Sequence, residues 1–391
     1  MRTPLVKSLC DSVTLLVMAL TSCVLGFGYG DAVPPKFLFY VGTYKEHGGK
    51  GIYAYRFDST AGRFESLGLA AEGAEPSFLA VAPDGKFLYV VNEIVKYNDQ
   101  PAGAVSAFAI QRETGKLLLL NQVSSGAEGP AHITLDRTGR YALVSNYERG
   151  SVAVFPLLPD GRLGKPSAFV LHQGSSVNPE RQKGPHAHAI ALSPDNRFAV
   201  VADLGLDELL VYPFDAADGS LGRDPQITKS LPGAGPRHLV FDSDGRFLYL
   251  INEIQSTVGT YSYNAATGKL RELQTVSTLP KGYSGPKEAA EIEIHPSGKF
   301  LFASNRGDDN SIAVFAIDSK SGTLTLVEND STRGKTPRHF TLDPTGQWLL
   351  AANQDSDEIV LFQVNPDTGH LTANGQVIYV PSPACIQFVA R

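Results

Sequence analysis

Two histidines stand two residues apart in Gly184-Pro-His186-Ala-His188, in a chain whose other chemically capable groups of interest are Glu93, Arg237, Glu253, Arg306, Arg338 and the amide Gln354. An imidazole or a carboxylate can take a proton from an attacking water. A guanidinium can stabilise an oxyanion, or hold a carboxylate or phosphate through paired N–H donors. A metal site needs three or four ligands, and this segment offers His186, His188 and at most Asp203. No metal and no other cofactor is therefore expected.

These residues lie far apart in sequence, and a repeat explains how they meet. Six times a small turn residue is followed seven positions later by an Asn or Asp that ends an apolar run: Gly85/Asn92, Gly139/Asn146, Asn196/Asp203, Gly245/Asn252, Gly298/Asn305 and Gly346/Asn353. The turns recur every 48 to 57 residues, and a period of that size marks a repeat architecture. A second marker, Gly-x-apolar, occurs at Gly62, Gly115, Gly161, Gly219, Gly268, Gly322 and Gly369, which raises the count to seven units. The seventh is divided between the termini, because Phe37–Thr43 reads like Phe87–Glu93 and Pro383–Phe388 reads like the first strand of a copy.

Short runs of Val, Leu, Phe and Tyr separated by Asp-Gly, Ser-Gly and Thr-Gly turns read as antiparallel strands joined by hairpins. Sustained helical periodicity is absent from the sequence. Four strands fit each unit, so the expected fold is all-β, a seven-bladed β-propeller of four-stranded antiparallel blades, with the ring closed by N- and C-terminal strands in one blade. A stacked β-solenoid is the competing architecture, but solenoids need capping repeats. The Asn/Asp ending each run is read as a turn former that bonds local backbone.

Laid over one another, the hairpins separate scaffold from candidate site. In Pro236–Asp242, Gly245 and Phe247–Glu253, antiparallel pairing sets Arg237 beside Asn252 and Glu253. Its equivalents in the other copies are Ser77, Ala131, His188, Ala290 and Arg338, and those of Glu253 are Glu93, Tyr147, Leu204, Arg306 and Gln354. Such variety at one channel mouth suits a pocket lined by unlike groups. The clustered arginines imply an acidic ligand, because like charges gathered there repel unless anions offset them. One position further along, His132, His238 and His339 recur and are read as structural.

Composition narrows the class. Of 391 residues, 42% are hydrophobic and 19% charged, with a net charge of −6, which offers no basic excess for nucleic acid. Residues 1–30 read as a secretory signal peptide: Arg2 and Lys7 precede the apolar run from Val13, and Gly30 and Ala32 precede Pro34-Pro35. The apolar stretch is too short and interrupted for a membrane span. Leu20-Thr-Ser-Cys23 also resembles a lipobox, which would place a lipid anchor on Cys23. Cys10 and Cys23 lie in this leader and only Cys385 in the repeats, so an internal disulfide framework is excluded. An exported, periplasmic or extracellular protein is expected.

Several motifs in order carry a family resemblance: Tyr40-Val-Gly-Thr-Tyr44, Gly184-Pro-His-Ala-His188, Asp203-Leu-Gly205, Gly235-Pro-Arg-His238, Asn252-Glu253, Ser304-Asn-Arg-Gly307, Pro337-Arg338 and Ala352-Asn-Gln354. Residues 37–391 resemble the seven-bladed propeller lactonases, which include 6-phosphogluconolactonases and carboxy-muconate lactonising enzymes. The resemblance implies hydrolysis of a small acidic sugar lactone. It places the catalytic set on His188, Arg237, Glu253 and Arg306; of these Glu253 or His188 is read as the base, and the channel-mouth positions mark His186, Arg338, Glu93 and Gln354 as substrate-binding. The alternatives are a muconate-type lactonising enzyme and a non-catalytic exported propeller that binds an acidic ligand or a cell-envelope partner.

Overall fold

The computed structural model describes residues 36–389, so the leader reading lies outside the described residues. Seven antiparallel sheets follow one another along the chain. Their first strands are Pro76–Val81, Pro130–Leu135, Ala187–Leu192, Pro236–Phe241, Ala289–Ile294, Pro337–Leu342 and Pro383–Phe388; we number the blades 1 to 7 in that order. Each first strand packs on the next, and Pro383–Phe388 packs on Pro76–Val81, so these strands form a closed inner ring. This is the seven-bladed propeller that the repeat predicts. Blade 7 is the split one: the C-terminal Pro383–Phe388 pairs with Lys36–Thr43, which continues into Gly51–Asp58 and Arg63–Glu72. Pairing of the C-terminal strand with Lys36–Thr43 joins the two ends of the chain in one sheet and so closes the ring. Blade 3 departs from four even strands, because Glu208–Asp215 pairs with two short outer segments, Ser220–Leu221 and Gln226–Lys229.

Adhesion between blades is apolar. One buried cluster fills each of the seven interfaces, for example Tyr89, Val91, Ile133, Val144 and Phe155 between blades 1 and 2. Burial of such surface stabilises by about 25 cal/mol per Å². Among the described residues no helix is long and apolar enough to cross a membrane.

The second strands end at Asn92, Asn146, Asp203, Asn252, Asn305 and Asn353, as the sequence step of seven predicts. Asp203 acts as the expected turn former, its Oδ1 accepting the local N–H groups of Gly205 and Leu206, but four of the asparagines do something else. The amides of Asn92, Asn146, Asn305 and Asn353 donate to the carbonyls of Ala74, Ser125, Thr278 and Thr332, in the preceding inter-blade crossings. These residues clamp non-local backbone, so they hold the blades' connections to the channel mouth.

Register adds a second correction. Each first strand carries a bulge near its start: Arg237 stands unpaired between Pro236↔Asn252 and His238↔Ile251, and Ser77, Ala131, His188 and Arg338 occupy the same position. In blade 7 the corresponding pairs are Pro383↔Thr43 and Cys385↔Gly42. Thr43, not Gly42, is thus the partner of Asn92 by position, and Tyr44 corresponds to Glu93. Seven equivalent hydrogen bonds settle the frame, the backbone N–H of Tyr44, Glu93, Tyr147, Leu204, Glu253, Arg306 and Gln354 donating to the residue just before each first strand. Gly42 is required there by crowding, since a Cβ would lie 2.1 Å from the Pro76 carbonyl oxygen.

Candidate active site

The bulges and the ends of the second strands bring His188, Glu253, Arg306, Arg338 and Glu93 to one cavity of about 310 Å³ at the channel mouth, whose lining also includes Tyr147 and Arg181. A bulge leaves its residue out of the ladder, which frees His188, Arg237 and Arg338 from strand pairing.

Three guanidiniums converge on one carboxylate. Arg237 Nε donates to Glu253 Oε2 at 2.9 Å, Arg181 Nη2 donates to Oε1 at 2.6 Å, and Arg306 Nη2 lies 3.1 Å from Oε2. Arg237 is 2% exposed and also donates from Nη1 to the Ala290 carbonyl at 2.7 Å. Burial works against the charge on Glu253, but Arg306, Arg237 and Arg181 outweigh it and hold its pKa down to about 2. Burial, then Arg306, pushes Arg237 down to about 10. Three positive charges against one negative leave the cluster short of anions at contact distance. Glu148 and Glu288 line the cavity outside that distance.

Arg306 is the under-satisfied member. It is 7% exposed, yet neither Nε nor Nη2 has a hydrogen-bond partner, the contact with Glu253 lacking hydrogen-bond geometry. Buried donors are rarely left so. His188 is also buried, with Nδ1 unpartnered and Nε2 3.9 Å from Glu253 Oε2. Burial, then Arg237, holds its pKa well below the usual histidine range, so the imidazole is neutral at pH 7.

Arg338 stands on the other side, its Nη2 3.8 Å from Glu93 Oε2 and its guanidinium 5.0 Å from the centre of the Tyr44 ring. Tyr44 donates its hydroxyl to the same Glu93 oxygen at 2.6 Å. Burial opposes the charge on Arg338, and Tyr44, Glu93 and Glu253 more than restore it.

His186 and Gln354 are placed differently. The His186 ring stacks on Tyr147 with centroids 4.5 Å apart, and its Nδ1 lies 2.9 Å from the Tyr147 carbonyl oxygen, outside the cavity lining. Asp203 does not join the two imidazoles: Oδ1 accepts the His186 backbone N–H at 2.7 Å and Oδ2 lies 2.6 Å from Nδ1 of the buried His172. Gln354 holds the mouth position, with a buried Oε1 that has no partner, and is likewise outside the lining.

Below the cavity lies the layer of recurring histidines. His238 Nδ1 is 3.0 Å from both oxygens of Glu291, and His339 Nε2 is 3.4 Å from one of them. Glu291 occupies in blade 5 the position that His238 holds in blade 4. Phe78 packs on His132, His238 and His339 at 4.3, 5.5 and 5.7 Å, so side chains from opposite blades meet across the axis. The His188 ring rests against His238 at 5.1 Å. The layer is a largely buried floor for the site, with His238 and His339 buried and His132 partly so.

The sequence spans the family described as "Lactonase, 7-bladed beta-propeller" over residues 38–388. The chain belongs to the seven-bladed propeller lactonase family. Among lactonases of this kind, it is 35% identical to a Bacillus subtilis protein named 6-phosphogluconolactonase, over 90% of this chain and 99% of that one. A Formosa agariphila protein of the same name is 34% identical over 87% and 95%. The structure of the periplasmic gluconolactonase of Pseudomonas aeruginosa superposes with a TM-score of 0.85 at 37% identity, covering 91% of this chain and 99% of that one.

Two residues of the site escape the internal alignment. Arg181 lies in the crossing between Leu171 and Ala187, which is longer than the other inter-blade crossings, so the residue has no equivalent in the copies. Tyr44 was hidden by the one-residue offset in blade 7. The pair Thr43-Tyr44 is the signal that could have found it, since a small polar residue followed by a larger one is what Asn92-Glu93 presents.

Proposed function

We propose that this protein hydrolyses a sugar lactone at the channel mouth, in the manner of 6-phosphogluconolactone plus water giving 6-phosphogluconate. The carrying observation is Arg306, buried with two unpartnered donor nitrogens at a cavity that also presents a neutral imidazole. Relatives named 6-phosphogluconolactonase support the reaction class. Water attacks the ring carbonyl and gives a proton to His188. The resulting oxyanion is met by Arg306, then the ring C–O bond breaks and His188 returns the proton to the leaving hydroxyl. Glu253, held near pKa 2, is too weak a base for this step and instead gathers Arg181, Arg237 and Arg306.

The test is acid release from δ-gluconolactone and its 6-phosphate, above the spontaneous rate. Removing one oxyanion donor typically costs about 10²- to 10³-fold in kcat, and Arg306→Ala is expected to lose that much. Binding of the product acid without turnover would reject the enzyme in favour of a binding propeller.

Residues 1–30 are proposed to export the chain, which the charged start, apolar run and small residues support, along with a relative named for the periplasm. N-terminal sequencing of the mature protein is expected to begin near Gly30 or Ala32. A lipid-modified Cys23 at the new terminus would indicate anchoring, and an intact Met1 would reject export.

A further inference from the structure

The relatives are named for a phosphorylated lactone and for an unphosphorylated one, and the structure contains a residue suited to tell them apart. Arg181 is the exposed member of the guanidinium group, its side chain 39% accessible against 2% for Arg237, 9% for Arg306 and 20% for Arg338. Its two bonds, to Tyr147 Oη at 3.1 Å and Glu253 Oε1 at 2.6 Å, both come from Nη2. Nε and Nη1 have no protein partner among the described residues, so N–H donors remain for an anion.

The segment that carries Arg181 is built rather than loose. Asn178 Oδ1 accepts the backbone N–H of Glu180 and of Arg181, each at 3.0 Å. The neighbouring Gln182 is fully buried; its Nε2 donates to the Leu204 carbonyl at 2.8 Å and its Oε1 accepts the Asn178 N–H at 2.9 Å. Ser176 Oγ donates to Asp207 Oδ2 at 2.6 Å. This tether fixes the origin of a long side chain over the cavity, and preorganisation of that kind lowers the ordering cost of binding. The crossing is also longer than those between the other blades, so its added residues are free to set specificity without disturbing the scaffold.

We propose that Arg181 makes this site select lactones bearing an anionic group remote from the ring carbonyl, a phosphate first of all, over neutral ones. This rests on the lactonase reading above. On binding, the remote anion adds a second anionic partner to Arg181, beside Glu253, while Arg306 and His188 address the carbonyl.

Product binding tests the assignment without turnover. Calorimetric Kd values for gluconate, glucarate and 6-phosphogluconate are measured with the full protein and with Arg181→Ala and Arg181→Lys, each checked for an unchanged melting temperature. The parent is expected to bind 6-phosphogluconate at least tenfold more tightly than gluconate. Arg181→Ala is expected to cut that ratio at least fivefold, with Arg181→Lys in between. Tight glucarate binding would extend the preference to carboxylates, and weak glucarate binding would confine it to phosphate; both support the assignment. An equal loss for all three acids in Arg181→Ala, or no preference in the parent, overturns it. In parallel, kcat/KM on the neutral and phosphorylated lactones is expected to show the same fall in ratio. Absence of turnover on both would reject the lactonase reading alone, leaving the binding arm to decide Arg181.

Discussion

Replacing Glu253 by Gln is expected to lower stability by about 3–5 kcal/mol, the usual consequence of removing one partner from a buried ion pair. Gln keeps the shape but cannot offset charge, and Arg237, Arg306 and Arg181 would then face one another with no carboxylate at contact distance. His188→Gln is expected to behave in the opposite way. It removes a neutral side chain with an unpartnered Nδ1, so the fold should keep most of its stability while kcat falls by the roughly 10²- to 10⁴-fold that a general base supplies. Denaturant midpoints and kcat measured on both variants separate the roles. Phosphate in the buffer should partly rescue the stability of Glu253→Gln, because an anion in the cavity replaces the missing charge. Equal stability of Glu253→Gln and parent would remove the clamp role, and full activity in His188→Gln would remove the base.

The contrast also indicates what a sequence can disclose about such a site. The step from Gly245 to Asn252 and its copies located six of the seven second-strand ends, since strand length and turn chemistry are local properties. Overlaying the hairpins then brought His188, Arg237, Glu253 and Arg306 together, because in a propeller equivalent positions converge on one axis. What it could not convey is charge state. Glu253 and His188 were equal candidates for the base until the three guanidiniums around Glu253 were seen to depress its pKa. The bulge at Arg237 is a backbone event with no residue signature. In blade 7 the crowding that demands Gly42 put a glycine one position before Thr43, and that shifted the overlay and concealed Tyr44. Arg181 has no copy elsewhere in the chain, so a comparison of copies passes over it.

Acid should unfold this protein steeply between pH 6.5 and 4.5. His132, His188, His238 and His339 are held below the usual histidine range, in each case chiefly by burial, with His339 at about 4. Unfolded histidines take up protons near pH 6.5. Over this window the unfolded chain therefore binds more protons than the folded one, and stability falls as pH falls. Glu293 acts the other way: burial raises it to about 8, so the folded state there holds a proton that the unfolded state has lost. Four histidines against this one glutamate leave the unfolded chain binding more protons over the window, and each net proton is worth about 1.4 kcal/mol per pH unit. Glu253, at about 2, adds its own loss only below its unfolded value near 4.5, so the upper part of the transition belongs to the histidines. His132 offers the cleanest check, since its ring packs on Phe78 at 4.3 Å and its Nδ1 has no partner. His132→Phe is expected to fold at pH 7 and to flatten the dependence of the denaturant midpoint on pH by one proton's worth. A parent equally stable at pH 7 and 5.5, or an unaltered slope in His132→Phe, would contradict the role given to these desolvated rings. That layer has a consequence for chemistry: the desolvation that makes these rings resist protonation keeps His188 in its neutral, free-base form at neutral pH. Loss of activity and loss of fold on acidification should accordingly begin from the same buried layer.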